Sequence, residues 1–501
     1  MSRAPTRRPG LPDKIPDEHV CCLVCLAGHP GGREPAESAA LSLWAPSAPT
    51  HEDQPKVDEP QRASTDDRDH PGTRAGFSSR LGVVFATAGV AIGLGNIWRF
   101  PYMMGRDGGV VFLILYFVIV LLFGAPMLMC EWALGRHTRR GPWGVMERIG
   151  APMGRLWSIL LLITVVMSSS YYGVVVAWVL QEGAEHFTSA LTGDDVRPFS
   201  DLTKALPSQG LFLLVTVGIG CGALAMGVRR GIERVSQIIL PVFFLLFLVV
   251  LVRVLTLDGA VDGLRAFLRP DLSKLRGATA LSALGQAIFS LGLGGTFMVL
   301  YGSYMREEMD IPRTAIATVG ADLAAALLAG LIVVPAVLAF GMDIAGGPEL
   351  LFVVLPEVFE KMTLGSWIGA LFFLAIFIVA LLSLIAAYET IVAALQDGLG
   401  WSRRRSLLLV LISQVALATP AYLFARYIEI SDLVWGTTMQ PIGAGLAVIA
   451  FAWCMGRGRA LAEIRRSSTL PIPGWLFLWI RYVIPVVILL ILGYGWVDWL
   501  R

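Results

Sequence analysis

From Arg80 onward the sequence passes through about eleven apolar segments, each long enough to cross a ~30 Å hydrocarbon core as an α-helix. They centre near residues 91, 123, 170, 217, 244, 291, 328, 381, 414, 444 and 486. In lipid every backbone polar group needs an internal partner, and none of these runs alternates with a period of two, so helices are favoured over a barrel. Composition points the same way. Charged residues make up 16% of the chain and hydrophobic ones 55%, whereas soluble proteins carry about 25% charged residues. An ordinary water-soluble enzyme is excluded, and the expected fold is an all-α integral membrane protein surrounded by membrane lipids.

The basic residues set the orientation. Arg136, Arg139, Arg140, Arg148 and Arg155 follow the second segment, Arg229, Arg230 and Arg234 the fourth, Arg403 to Arg405 the eighth, and Arg457, Arg459, Arg465 and Arg466 the tenth. These loops share one side, so the positive-inside rule places the N-terminus in the cytoplasm and Arg501 outside; the membrane expected is the cell's inner (plasma) membrane. Net charge is only +2 and the basic residues form no long stripe, which offers nucleic acid no surface. Residues 1–75, rich in Pro, Arg, Asp and Glu and without helical periodicity, read as a disordered tail. The histidines lie outside the apolar runs or at their edges, and Cys22-Leu-Val-Cys25 has no second ligand pair, so zinc or haem chemistry within the membrane has no support.

Two segments are interrupted as the others are not. The first reads Ala91-Ile92-Gly93-Leu94-Gly95-Asn96, and the sixth Ser290-Leu291-Gly292-Leu293-Gly294-Gly295. Glycine costs roughly 1 kcal/mol relative to alanine within a helix, so clusters at mid-membrane favour local unwinding. They lie five segments apart, the spacing of a 5+5 inverted repeat with broken first and sixth helices meeting at a midplane site. The glycines alone are equally compatible with close helix packing.

Polar side chains at bilayer depth cost about a few kcal/mol unless paired or facing a cavity, so each is a functional candidate. Asn96 ends the first glycine cluster, with Arg99 three residues on. Gln286 precedes the second, and Asp322 lies in the seventh segment with no basic residue in its run. A lone buried aspartate is either protonated or beside a cation. Unwound carbonyls, an Asn amide oxygen, a Ser hydroxyl and a carboxylate form an oxygen-only shell suited to a hard monovalent cation such as sodium. Backbone N–H groups freed around Leu94 and Gly95 would draw a substrate carboxylate. Interhelical hydrogen bonding is the alternative for Asn96 and Gln286, and an ion pair with another segment the alternative for Asp322.

Arg80-Leu81-Gly82, then Gly93-Leu94-Gly95-Asn96-Ile97-Trp98-Arg99-Phe100-Pro101-Tyr102, closely resembles the first-helix signature of the neurotransmitter:sodium symporter family. Gly124-Ala125-Pro126 with Glu131-Trp132-Ala133-Leu134-Gly135, Arg230-Gly231-Ile232-Glu233-Arg234, and Gly285-Gln286 through Tyr304 resemble further blocks of it. Together they cover most of residues 74 to 499, and the eleven segments are similar to bacterial members, of which a leucine transporter is the best known. The resemblance implies a transporter domain at 76–499, with repeats at 80–257 and 279–457 and an extra helix at 472–499. It implies one sodium site from Asn96, the Ala91 carbonyl, Ser290 and Asp322, and a second from the carbonyls of Gly89, Ile92 and Val379 and the Ser383 hydroxyl. Tyr172 would hold a substrate carboxylate beside the N–H groups of Leu94 and Gly95, in a pocket that includes Ser168, Gly292, Gly295 and Ala387. Arg99 and Asp432 match an extracellular gate pair with Phe289 as aromatic lid, and Arg74 and Asp397 an intracellular pair. Tyr116, Gln286, Ser290 and Asp322 resemble the chloride-holding group of animal members, with aspartate in place of asparagine.

Some positions depart from that pattern. Leu382 stands where the second sodium usually meets another hydroxyl or an aspartate, which removes one side-chain oxygen. Gly292, Gly295 and Ala387 are smaller than their counterparts in the leucine transporter, so a roomier pocket and a bulky apolar or aromatic amino acid are expected. The expected function is sodium-coupled, chloride-independent import of an amino acid or related compound by alternating access. No nucleophile–base pair or HExxH points to an enzyme. A proton-coupled or exchange transporter and a non-transporting receptor are the alternatives, and substrate identity, ion number and oligomeric state stay open.

Overall fold

The computed structural model describes residues 76–342 and 350–499, and among these there is no β-strand. Nine helices of the described residues are long and apolar enough to cross a membrane: Val110–Thr138, Gly154–Thr192, Leu206–Ala225, Val228–Leu255, Ile311–Ala339, Gly365–Leu399, Arg403–Leu423, Arg426–Cys454 and Gly474–Val497. In chain order these are the second to fifth and seventh to eleventh spans. The first and sixth are the two interrupted ones. The first comprises Arg80–Ala91 and Gly95–Asp107, bent by 58°. The sixth comprises Gly277–Ser290 and Phe297–Tyr304, with 291–296 irregular between them. Tail residues 1–75, Arg74 of the intracellular gate pair, and Arg501 lie outside the described residues.

Both interruptions have a local cause. Ile92 leaves the helix in an extended conformation, φ −77° and ψ 120°. The next N–H, of Gly93, turns to the side-chain oxygen of Asn96 at 3.0 Å, so the Gly89 carbonyl loses its helical donor. Asn96 therefore acts on its own backbone, in the way short polar side chains compete with helix bonding. The sixth span stops in a Schellman turn. The Gly292 N–H bonds to the Phe289 carbonyl and the Leu293 N–H to the Ile288 carbonyl, both at 3.1 Å, with Gly292 left-handed at φ +63°. A side chain at 292 would oppose that turn, which is why the glycine sits there.

The unwound sixth segment is tied to the second span. The Gly294 and Gly295 N–H groups both donate to one oxygen of the buried Glu131 carboxyl, each at 2.9 Å. Glu389 plays a comparable structural part deeper in the eighth span, accepting the Tyr304 hydroxyl at 2.8 Å and pairing with Arg403 at 2.7 Å. These bonds satisfy backbone and side-chain groups that would be costly in hydrocarbon.

Candidate functional site

Where the two interruptions face each other they leave a cavity of about 90 Å³. Val90, Ala91, Gly93, Leu94 and Gly95 of the first span line it with Phe289, Ser290, Gly292 and Phe297 of the sixth. The third span adds Ser168, Ser169, Tyr171 and Tyr172, the eighth Ser383 and Ala387, and the tenth Gln440. Of the residues expected around the substrate, Leu94, Gly95, Ser168, Tyr172, Phe289, Gly292 and Ala387 border it. Gly295 does not: a Cβ there would stand 2.8 Å from the Gly443 carbonyl, so this glycine serves a close approach to the tenth span. The expected extra room is also smaller at 292. A Cβ on Gly292 would meet Val90 at 3.2 Å and the Phe297 ring at 3.5 Å, which already occupy that side. Gly292→Ala combines this contact with a left-handed backbone, a conformation costing roughly 1–2 kcal/mol for residues other than glycine. We expect lower thermal stability and weaker substrate binding in that variant, checked by melting curves in detergent with and without substrate.

Beside the cavity, Asp322 of the seventh span is fully buried. One carboxylate oxygen accepts the Ser290 hydroxyl at 2.6 Å and the Asn96 amide at 2.8 Å; the other accepts the Tyr116 hydroxyl at 3.2 Å. Among the described residues no basic side chain lies within ion-pair distance of Asp322. The ion-pair alternative for this aspartate is thus not what the fold provides. Asn96 ties the break in the first span to the seventh span, holding Gly93 with its oxygen and Asp322 with its nitrogen. Gln286 donates to the Gly95 carbonyl at 2.9 Å, and its own oxygen has no hydrogen-bond partner. Asn96, Ser290, Asp322, Tyr116 and Gln286, scattered over four spans, converge at one end of the cavity.

The Tyr172 and Ser383 hydroxyls come to the first break from the opposite side, 3.4 and 3.2 Å from where a Cβ on Gly93 would stand. Ser383 donates to the Val90 carbonyl at 3.0 Å. One turn below, Leu382 packs onto Gly89, its Cδ1 2.8 Å from a Cβ position there, with the Ser236 hydroxyl at 3.2 Å. An apolar branch therefore fills the space where a further oxygen ligand was missed in the sequence.

Above the cavity, the Arg99 guanidinium lies 5.0 Å from the Phe289 ring centroid. Asp432 accepts the Tyr171 hydroxyl at 3.0 Å, and among the described residues Arg99 and Asp432 are not joined by an ion pair. Tyr171 stands between the third and tenth spans where a direct Arg–Asp contact was expected. Asp397 lies in the last turns of the eighth span. Tyr171, Ser169 and Gln440 lie outside the family blocks read in the sequence, and Phe297, within the 285–304 block, has no role assigned there. The signal for Gln440 was available, since a lone amide in an apolar run is suspect for the same reason as Gln286.

Two interrupted helices facing each other across a mid-depth cavity, with a buried carboxylate at its end, define a secondary transporter of the inverted-repeat class. Residues 74–199 and 199–499 match the profile of the Sodium:neurotransmitter symporter family, and the chain belongs to that family. It is 33% identical over 440 residues to the sodium-dependent transporter YhdH of Bacillus subtilis, covering 83% of this chain and 96% of that one. A sodium-dependent transporter of Methanocaldococcus jannaschii is 30% identical over 430 residues, covering 80% and 86% respectively. Among solved structures, MhsT in complex with L-phenylalanine superposes with a TM-score of 0.76 at 29% identity, covering 84% of this chain and all of that one. The protein is a multi-span membrane transporter, not an enzyme, and its family uses sodium as coupling ion.

Proposed function

We propose that the protein imports an amino acid together with sodium, by alternating access and without chloride, with its N-terminus in the cytoplasm. The observation that carries this reading is the convergence of Asn96, Ser290 and Asp322 beside a cavity bordered by freed backbone of both broken helices. A sodium ion carried as co-substrate would sit among the Ala91 carbonyl, the oxygens of Asn96 and Ser290, and the Asp322 carboxylate, all hard donors. The substrate carboxylate would lie next to it, on the Tyr172 hydroxyl and the N–H groups of Leu94 and Gly95, and its ammonium would face unwound carbonyls. Sodium between two carboxylates makes the binding of each partner depend on the other. A second sodium would use the carbonyls of Gly89, Ile92 and Val379 with the Ser383 hydroxyl, and Leu382 makes that site the weaker one. The side chain of the substrate would lie toward Ser168, Gly292, Phe297 and Ala387, and a solved relative that holds L-phenylalanine supports a bulky apolar or aromatic one. Arg99, Phe289 and Asp432 would close the outer side, with Tyr171 completing the cap, and Arg74 with Asp397 the inner side.

The direct test is uptake into proteoliposomes with and without a sodium gradient, after a melting-point screen of amino acids. Asn96→Ala and Ser290→Ala should each weaken sodium and substrate binding together, by about tenfold, because coupling between two ligands is reciprocal. If Asn96→Ala left sodium-dependent substrate binding unchanged, the assigned sodium site would be wrong.

A further inference from the structure

Away from the cavity, two arginines stand on the membrane side that carries the basic loops, Arg457 just past the end of the tenth span and Arg481 within the eleventh. Arg481 lies about two turns into the eleventh span, four residues before Pro485. Proline has no N–H, so the Arg481 carbonyl has no helical donor, and the helix widens into a π-type turn over Trp479–Val483. That carbonyl accepts the indole N–H of Trp453 at 3.4 Å. Trp453 itself sits on a π-type turn of the tenth span, Ala450–Cys454. The bond fixes the Trp453 ring beside the Arg481 guanidinium, which lies 4.3 Å from its centroid and 5.5 Å from that of Tyr482. One turn toward the basic loops, the Arg457 guanidinium lies 5.8 Å from the Phe477 ring.

Aromatic faces attract a cation but carry no net charge, so the patch keeps two positive charges. Among the described residues no carboxylate lies within ion-pair distance of either arginine. An arginine at span depth calls for a counter-charge. The surface around it is apolar and open, with Trp453 51%, Tyr482 52%, Val486 55% and Leu489 68% exposed. The last three share one helix face at i, i+4 and i+7 and run from the arginines toward the membrane interior. A small water-borne anion has no use for that face, whereas a lipid does.

We propose that Arg457 and Arg481, with Trp453 and Tyr482, bind the phosphodiester headgroup of an anionic phospholipid, whose acyl chains lie along Tyr482, Val486 and Leu489. The lipid comes from the leaflet on the side of the basic loops, and its phosphate supplies the counter-charge that the fold withholds. It bridges the tenth and eleventh spans at a place where each helix is locally widened.

The test is native mass spectrometry of the full chain released from nanodiscs of equal phosphatidylglycerol and phosphatidylcholine. Phosphatidylglycerol should be retained preferentially. Arg457→Gln and Arg481→Gln should each lower that retention about fivefold, the worth of one basic side chain at an anionic surface. Arg481→Lys should keep most of it, and excess inorganic phosphate should leave the lipid in place. Equal retention of the two lipids by the unmodified protein would overturn the site, as would undiminished retention in Arg457→Gln. Displacement by inorganic phosphate would also overturn it, making this a phosphate site instead. Arg457 is exposed at the surface, so its variant carries the test even where Arg481→Gln fails to fold.

Discussion

Uptake by an Asp322→Asn variant is expected to become chloride-stimulated, whereas the unmodified protein should transport equally well with gluconate in place of chloride. The Asp322 carboxylate, fully buried, already takes hydrogen bonds from Ser290, Asn96 and Tyr116 and provides a fixed negative charge next to the proposed sodium. A chloride about 4 Å away would repel it by about 4 kcal/mol at an effective dielectric of 20. Asparagine keeps the size and one acceptor oxygen but removes the charge. The Tyr116 and Ser290 hydroxyls are then released from a carboxylate and can turn to an anion. Hydrogen bonds to charged groups are worth about 1.5–3 kcal/mol, so without chloride the variant should fall at least about tenfold below the unmodified protein. Added chloride should recover part of that loss. Strong chloride dependence of the unmodified protein would eliminate the idea by itself, whatever the variant does.

Much of this arrangement is legible in the sequence because the membrane restricts what residues can do. An unpaired carboxylate at 322 and an asparagine at 96 stand out in apolar runs, and glycine pairs five spans apart mark the breaks. What the sequence does not carry is direction. Gly292 and Gly295 look alike as small residues, yet one borders the cavity and the other faces the tenth span, because 291–296 follows no helical period from which a side can be read. Tyr171 and Tyr172 are neighbours, but successive residues on a helix point about 100° apart. One therefore reaches the first break while the other reaches Asp432, and only the first belongs to a recognisable pattern. Phe297 partly fills the space left by Gly292, a compensation between residues five apart across an irregular turn. Residue size alone cannot show it.

Substituting alanine for Gly135 is expected to destabilise the protein more than any other single methyl addition considered above, and to abolish uptake with it. A Cβ at 135 would stand 1.9 Å from the Val299 carbonyl and 2.8 Å from the Ser303 N–H nitrogen, and one at Gly302 would stand 2.5 Å from the Trp132 carbonyl. The second span and the inner half of the sixth thus cross backbone against backbone, as small residues permit between helices in lipid. Glu131 lies one turn from Gly135 on the same face of the second span, and it holds the Gly294 and Gly295 N–H groups. This gives the Glu131-Trp132-Ala133-Leu134-Gly135 stretch a physical meaning: its two ends seat the helix that follows the break and the break itself. Alanine would force rigid backbone apart by about 1 Å, and such overpacking typically costs about 1–3 kcal/mol. The displaced Phe297–Tyr304 helix would carry Phe297 away from the cavity, so transport should be lost even where the chain still folds. Gly218→Ala in the fourth span is the control, since nothing lies within 4 Å of its Cβ position and alanine favours a helix. Melting curves of the two variants side by side decide the matter, and equal stability would mean that the second and sixth spans do not cross this closely.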